Sequence, residues 1–505
     1  MQPNQKQQPT PQDTFLSAKG AYRVGDYTEA VKFSGLLRAH FPDHPPVLAI
    51  HGRILSRMGL DLPALPDLEK AADLTEDALI NGDDQNPTRP QIVDQLFQVC
   101  IAWCNSLVRT GDPEGAIAVI DRALVYDAER HDAIAAKAEA LASMDKADEA
   151  KKLISDHMDN AFDRIRLTIS LGRIELSTAD KPDEAVIAAL SEQTDRVGLN
   201  ASDLMDALRV LGDLQDRAGN HDNAFSAYRR AANLRRSQFN PEAHAQLTNT
   251  LIQNWTADEM SKLVKSEADG SSMVLLLGAP CSGVEELAAL LDQADTISNV
   301  GPIESMLLGA KKVFGANSGV IRPVVFSPKG LRGKQFSDAA GIYASSVMPF
   351  VRAGANRAID TNEFNIWLAG LAALILPGIK IVFCRRDPRD ATLDCYTADM
   401  PGLHPYAKEL VHAAAYIADC NRMMDHWMTT LADDRVACEI HEVQYADLIA
   451  DPIECARKLA TKLGADGVDS ISEIRRAVRS SPDPKNYKTK MNQVDELFSE
   501  ITAGA

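Results

Sequence analysis

MVLLLGAPCSGVEELAALL, residues 273–291, decides how the second half of the chain folds. Its first part, Met273 to Leu277, is continuously apolar, which predicts a parallel strand buried on both faces. Gly278 and Gly283 then bound a short loop, and EELAALLDQ (285–293) returns apolar residues at helical spacing. Strand, glycine loop and helix form the frame that holds phosphates, because N–H groups at a helix start face an anion and the helix dipole favours it. Nucleoside triphosphatases follow the second glycine with Lys and Ser or Thr, which reach the phosphates and Mg²⁺. Here Val284 and Glu285 stand there, and neither does that work. The loop keeps a phosphate-binding frame without its usual side chains, which argues against an ordinary triphosphatase.

Downstream, the pattern alternates. RAID (357–360) and KIVFC (380–384) predict strands, with NIWLAGLAALIL (365–376) a helix between them. ACEIHEVQYADLIADP (437–452) predicts a short strand followed by a helix. Such alternation predicts a central parallel sheet covered by helices. The most membrane-like stretch, IWLAGLAALILPGIKIVFC (366–384), is split by Pro377-Gly378 into runs too short to span a bilayer.

Upstream, the chain repeats itself. In RVGDYTEAVKFSGLLRAHFPDHP (23–45), Gly25, Tyr27, Ala30 and Pro42 fall at the spacing of a tetratricopeptide (TPR) unit, a helix-turn-helix of about 34 residues. Adding 34 reaches Gly59 from Gly25, Ala64 from Ala30 and Ala150 from Ala116. Gly111, Ala116 and Ala123 mark another unit, Ala185 a weaker one, and Gly219, Ala224 and Ala231 the last. ALINGDDQNPTRPQ (78–91) reads as an inserted loop where the spacing slips. Six repeats, two of them weak, are expected. Each helix pair leaves an apolar face that only its neighbour buries, so the pairs stack into a solenoid with a concave surface for a protein or peptide ligand. A bland alternative is an array that merely caps the second domain or drives self-association.

The expected layout is a disordered Gln/Pro-rich arm at 1–13, an all-α TPR solenoid at 14–240, a helical connector at 241–270 and an α/β domain at 271–505. The arm lacks the apolar core of a secretory signal. The formal charge of -18 over 505 residues argues against nucleic acid or an anionic membrane as partner. Eight scattered cysteines without a CxxC pair suggest reduced, buried thiols, no metal site and a cytoplasmic protein.

GAPCSGVEELAALL (278–291), ISNVGPIESML (297–307), AIDTNEFNIWLAGLAALILPGIKIVFCRRDPRDATLDCY (358–396) and EVQYADLIADP (442–452) resemble the successive motifs of sulfotransferases. With the repeats before them, they resemble bacterial TPR-fused sulfotransferases, and CRRDP…LDCY is the most specific part. The resemblance implies a P-loop-like domain that takes sulfate from 3′-phosphoadenosine-5′-phosphosulfate (PAPS), without a metal. It places Gly278, Pro280, Cys281, Ser282, Gly283 and Val284 around the 5′-phosphosulfate and Arg386 on the 3′-phosphate. A guanidinium at a strand end suits that bidentate task. The acceptor implied is a hydroxyl of a carbohydrate, lipid or peptide, with Glu304 as candidate base.

The chain departs from this family where charge is needed. Cys281 replaces an Arg or Lys, Val284 and Glu285 replace hydroxyl residues, Asp394 replaces a Ser, and Thr361 replaces a Lys. Each lost charge-assisted hydrogen bond removes roughly 1.5–3 kcal/mol. A carboxylate about 6 Å from a phosphate adds repulsion of order 3 kcal/mol at an effective dielectric near 20. Two readings follow. In one, PAPS chemistry is weakened or lost and the array acts as a binding or assembly module. In the other, sulfuryl transfer survives with Lys485, Lys488 and Lys490 replacing the missing cations.

The bland reading of the same residues also stands. Arg385 and Arg386 are then ion-pair partners for Asp387, Asp390 or Asp394. Glu285 and Glu286 complement the dipole in a first helical turn. Cys281 at a helix start is a nucleophile only if its thiol ionises readily. His404, His412, His426 and His441 form no recognisable dyad, and His426 beside Trp427 reads as packing.

Overall fold

The computed structural model describes residues 10–23, 27–83, 86–158, 164–235, 238–303, 305–314, 328, 333–398, 400, 404–472 and 481–504. The chain divides into two units, Met1–Gln238 with Thr397–Lys408, and Phe239–Tyr396 with Glu409–Ala505.

The first unit is helical: α1 (Pro11–Arg23), α2 (Tyr27–His40), α3 (Pro45–Arg57), α4 (Asp61–Ile80), α5 (Arg89–Arg109), α6 (Pro113–Leu124), α7 (His131–Ser143), α8 (Ala147–Met158), α9 (Ile165–Thr178), α10 (Glu184–Thr194), α11 (Ala201–Arg217) and α12 (His221–Asn233). These make six consecutive pairs among the described residues, the number expected from the repeats. Ala30, Ala64, Ala116, Ala150 and Ala224 are fully buried, because each lets the second helix of a pair lie close to its neighbours. Gly59, Gly111 and Gly219 take left-handed φ of 76°, 90° and 81° and end the first helix of their pairs. Asp145, 34 residues after Gly111, takes the same conformation with φ 61°.

Three details differ from expectation. Ala185 is exposed at the start of α10, and Val186, Ile187 and Leu190 are buried instead. Pro11–Asp13 lie in α1, where Asp13 accepts from Thr10 N at 3.1 Å and so caps the helix, so the expected arm gives way to helix there. The slip in spacing arises from length as well as from the loop, since α4 and α5 have 20 and 21 residues. Gly25 lies outside the described residues.

The second unit opens with α13 (Pro241–Asn254) and α14 (Ala257–Met260), so the expected connector is part of it. There follow β1 (Met273–Gly278), α15 (Val284–Leu291), β2 (Ile297–Gly301), α16 (Ser305–Phe314), α17 (Gly333–Val347), β3 (Arg357–Asp360), α18 (Ala369–Ile375), β4 (Lys380–Arg385), α19 (Pro388–Thr397), α20 (Leu410–Thr430), β5 (Glu439–Gln444), α21 (Tyr445–Ala450), α22 (Pro452–Lys462) and α23 (Lys488–Gly504). The helix expected over 365–376 begins as 3₁₀, over Glu363–Leu368, before α18. Among the described residues, no helix is long and apolar enough to cross a membrane.

The five strands of the described residues are all parallel, in the order β2-β3-β1-β4-β5. β1 is central and every one of its residues is buried, which explains its continuous apolar run. From β1 the chain goes to one side for β2 and β3, then crosses to the other for β4 and β5. The carboxyl end of β1 is therefore the switch point, where an open parallel sheet leaves a crevice for a ligand. In the register Gly278 lies opposite Cys384, so the glycine loop and Arg385-Arg386 leave the sheet side by side.

Candidate functional site

Gly278 ends β1 because nothing larger fits. A Cβ there would lie 2.0 Å from Ser282 Oγ and 2.9 Å from the Cys384 carbonyl. The loop then turns through Cys281, at φ 61°, and Gly283, the N-cap of α15 at φ 86°. For an L-residue the left-handed conformation at Cys281 costs roughly 1–2 kcal/mol. Val284 is buried in the core of the sheet with Leu287 and Leu291, while Glu285 and Glu286 occupy the first turn. Glu285 is exposed and Glu286 half-buried, as the dipole-complementing reading requires. Ser282 Oγ is buried and has no hydrogen-bond partner among the described residues.

Arg386 reaches this loop from the end of β4. Its Nη1 donates to the Cys281 carbonyl at 2.5 Å and to Asp394 Oδ2 at 2.8 Å. Its guanidinium also lies 4.3 Å from the centroid of the Tyr445 ring, a cation–π contact. Burial works against the charge, but Asp394 outweighs it and holds the guanidinium above its ordinary pKa. Asp394 in turn accepts from Ser481 Oγ at 2.7 Å. The side chains of Arg386 and Asp394 are only 6% and 12% exposed, so the pair is shielded from solvent. Arg386 Nε is left without a hydrogen-bond partner among the described residues.

Of the sequence candidates, then, the fold brings together Gly278, Cys281, Ser282, Gly283, Val284, Arg386 and Asp394, with Pro280 in the same loop. Of the alternatives weighed for Arg386, Asp394 is the ion-pair partner. Arg385 departs from its expected partners: its Nη2 and Nε meet Asp425 at 2.6 Å and Glu442 at 3.0 Å. The Cys281 thiol is pushed well above its ordinary pKa by a hydrogen bond with Cys395, by burial and by Asp394, which disfavours a thiolate nucleophile. Glu304 lies outside the described residues. Lys485, Lys488 and Lys490 are exposed, and Lys485 acts electrostatically on Asp390 of α19.

Sequence reasoning did not find Tyr445, Ser481 or Cys395 as parts of the site. Tyr445 sits inside the quoted EVQYADL and offered a signal as the first aromatic after a strand, whereas Ser481 offers none. Asp360 was also missed as a buried anchor. It is fully buried at the end of β3 and accepts from Asn362 N at 2.9 Å, Tyr343 Oη at 3.0 Å and Asn365 Nδ2 at 3.1 Å. Burial raises its carboxyl to about 6 against these hydrogen bonds.

The histidines hold structural places. His426 Nε2 lies 2.8 Å from the Trp255 carbonyl and its ring 4.8 Å from that of Trp427. His441 pairs with Glu439 at 2.8 Å and His404 lies 2.5 Å from Tyr406 Oη. Among the described residues, no group of His, Cys, Asp or Glu is arranged to hold a metal ion.

Residues 274–469 match the family model of the sulfotransferase family. A comparison with curated proteins yields no match. Among solved structures, a tetratricopeptide repeat protein from Parabacteroides merdae ATCC 43184 is similar at 14% identity, over 44% of this chain and 82% of that one, with a TM-score of 0.29. The sulfotransferase STF9 from Mycobacterium avium is similar at 12% identity, over 63% of this chain and 96% of that one, with a TM-score of 0.26.

Proposed function

We propose that this chain, a sulfotransferase-family domain at residues 274–469 behind a TPR-type array, has lost tight PAPS binding and works through its array as a protein-binding or assembly module. One observation carries the reading: Asp394 Oδ2 sits 2.8 Å from Arg386 Nη1, on the guanidinium that the family resemblance assigns to the 3′-phosphate. An internal carboxylate thus stands where the donor's anion is needed. A 3′-phosphate arriving there must displace Asp394 or lie against it, and Asp394 is further held by Ser481. On this reading the residues present do not fit the donor. A cytoplasmic setting belongs to the same proposal and is supported by eight cysteines that are all free thiols.

A second reading, active sulfuryl transfer from PAPS to a hydroxyl, is favoured by two buried donors, Ser282 Oγ and Arg386 Nε, that lack partners at the loop. Glu304 would be its base. Thermal shift with 3′-phosphoadenosine-5′-phosphate (PAP), the desulfated donor, separates the two readings. The proposal expects no shift for the natural chain and a measurable one for Asp394→Ser. A clear shift for the natural chain would overturn the proposal and favour the second reading.

A further inference from the structure

The helical unit contains a cavity of about 390 Å³ whose walls come from alternate helices, α1, α3, α5, α7, α9 and α11, the first helix of every pair. Arg57 of α3 bridges it, meeting Asp206 of α11 at 3.3 Å across 149 residues of sequence. The array therefore curls until its second pair touches its sixth. A volume of this size lies within the range of about 300–1,000 Å³ that ligand pockets occupy.

The lining is unusual in charge for a chain of net charge -18. Five of the twenty described lining residues are arginine and none is lysine, against three carboxylates. Four of these arginines are aimed by carboxylates. Arg57 is held by Asp206, Arg166 by Asp203, Arg109 by Asp61 at 2.7 Å and Arg173 by Glu139 at 2.9 Å. Asp203 and Asp61 stand behind the wall and do not line the cavity. Asp132, which does, is paired with Arg130 at 2.8 Å. Arg53 differs from the other four. Its Nη2 meets Gln98 Oε1 at 2.5 Å and its guanidinium lies 5.3 Å from the Tyr22 ring centroid, both neutral partners. Among the described residues no carboxylate cancels its charge.

We propose that this cavity binds an acidic peptide segment, with Arg53 as the primary contact for its carboxylates. Arginine is the side chain suited to this, since its planar fork matches a carboxylate in two parallel hydrogen bonds. Between the arginines, Asn105, Ser202 and the amide nitrogen of Gln98 line the same walls, while Ser56 Oγ and Ser170 Oγ are engaged by Ser106 and Glu139. Amides and hydroxyls of that kind pair with the N–H and C=O of a peptide backbone, which a free small anion does not have. The inference deepens the binding-module reading of the array and rests on it, while the donor site plays no part.

The test is fluorescence anisotropy of fluorescein-labelled hexaglutamate with the full chain. Saturable binding is expected, weakening tenfold or more in Arg53→Gln, whose lost partners are neutral. In the natural chain the affinity should also fall steeply between about 0.05 and about 0.5 M salt, as screening requires. Absence of binding at millimolar protein would overturn the proposal, as would equal binding by Arg53→Gln. Tighter binding of labelled hexalysine would overturn the acidic assignment and leave the module reading intact. Displacement of hexaglutamate by citrate at equal concentration would assign the cavity to small anions instead.

Discussion

The Arg386–Asp394 pair is the smallest unit on which the functional reading turns. Its two side chains are 6% and 12% exposed, so removing one partner leaves a largely buried charge. Asp394→Asn should therefore destabilise the second unit by roughly 3 kcal/mol, seen as a lower urea midpoint. The same variant should bind PAP at least tenfold more tightly than the natural chain, because the guanidinium is released for phosphate. A site in which Asp394 merely braces α19 would show the first effect without the second.

Asp360 makes a separate prediction at the same scale. Its carboxyl is raised from 3.8 to about 6, so the folded state holds its proton more firmly than the unfolded chain does. The stability tied to that proton is complete below pH about 4 and is lost as pH rises through about 6. The loss is roughly 3 kcal/mol. Asp360→Asn should remove this downward slope, measured as the difference between the two proteins' urea midpoints from pH 4 to 7. An unchanged slope would mean that the donors from Tyr343, Asn362 and Asn365 offset the cost of burying the carboxylate.

Among the elements, β1, its loop and α15 were legible because each obeys a local rule. Burial on both faces of a central parallel strand demands an unbroken apolar run, and Gly278 and Gly283 mark positions where a side chain clashes or φ is positive. The helix pairs were legible for the same reason, through small residues and glycines in phase. Ala185 misled because it lies beside the buried face of α10 and not on it, a one-residue difference that a spacing rule does not resolve. Asp145 hides a left-handed turn behind a non-glycine. The partners of Arg386 were only half legible: Asp394 is one helical reach away, but Ser481 and Tyr445 arrive through tertiary contacts. Close packing within a pair can be tested at Gly212 of α11, where a Cβ would lie 2.4 Å from the Tyr228 ring. Gly212→Ala should destabilise the helical unit by about 1–3 kcal/mol, read as loss of far-UV ellipticity at lower urea. A neutral result would mean that Tyr228 rotates away without cost.

For the whole molecule, the two units pose different questions. The helical unit presents charge that is already folded inward, toward its arginine-lined cavity. The α/β unit has a strand, a glycine loop and a helix at the carboxyl edge of its sheet, with Gly283 opening α15, and Arg386 beside the loop is paired with Asp394. On the proposed function, this internal pairing of Arg386 excludes the donor. Isothermal calorimetry of the natural chain with PAP measures this exclusion. No heat of binding is expected up to millimolar ligand. Micromolar affinity that disappears in Arg386→Ala would contradict it.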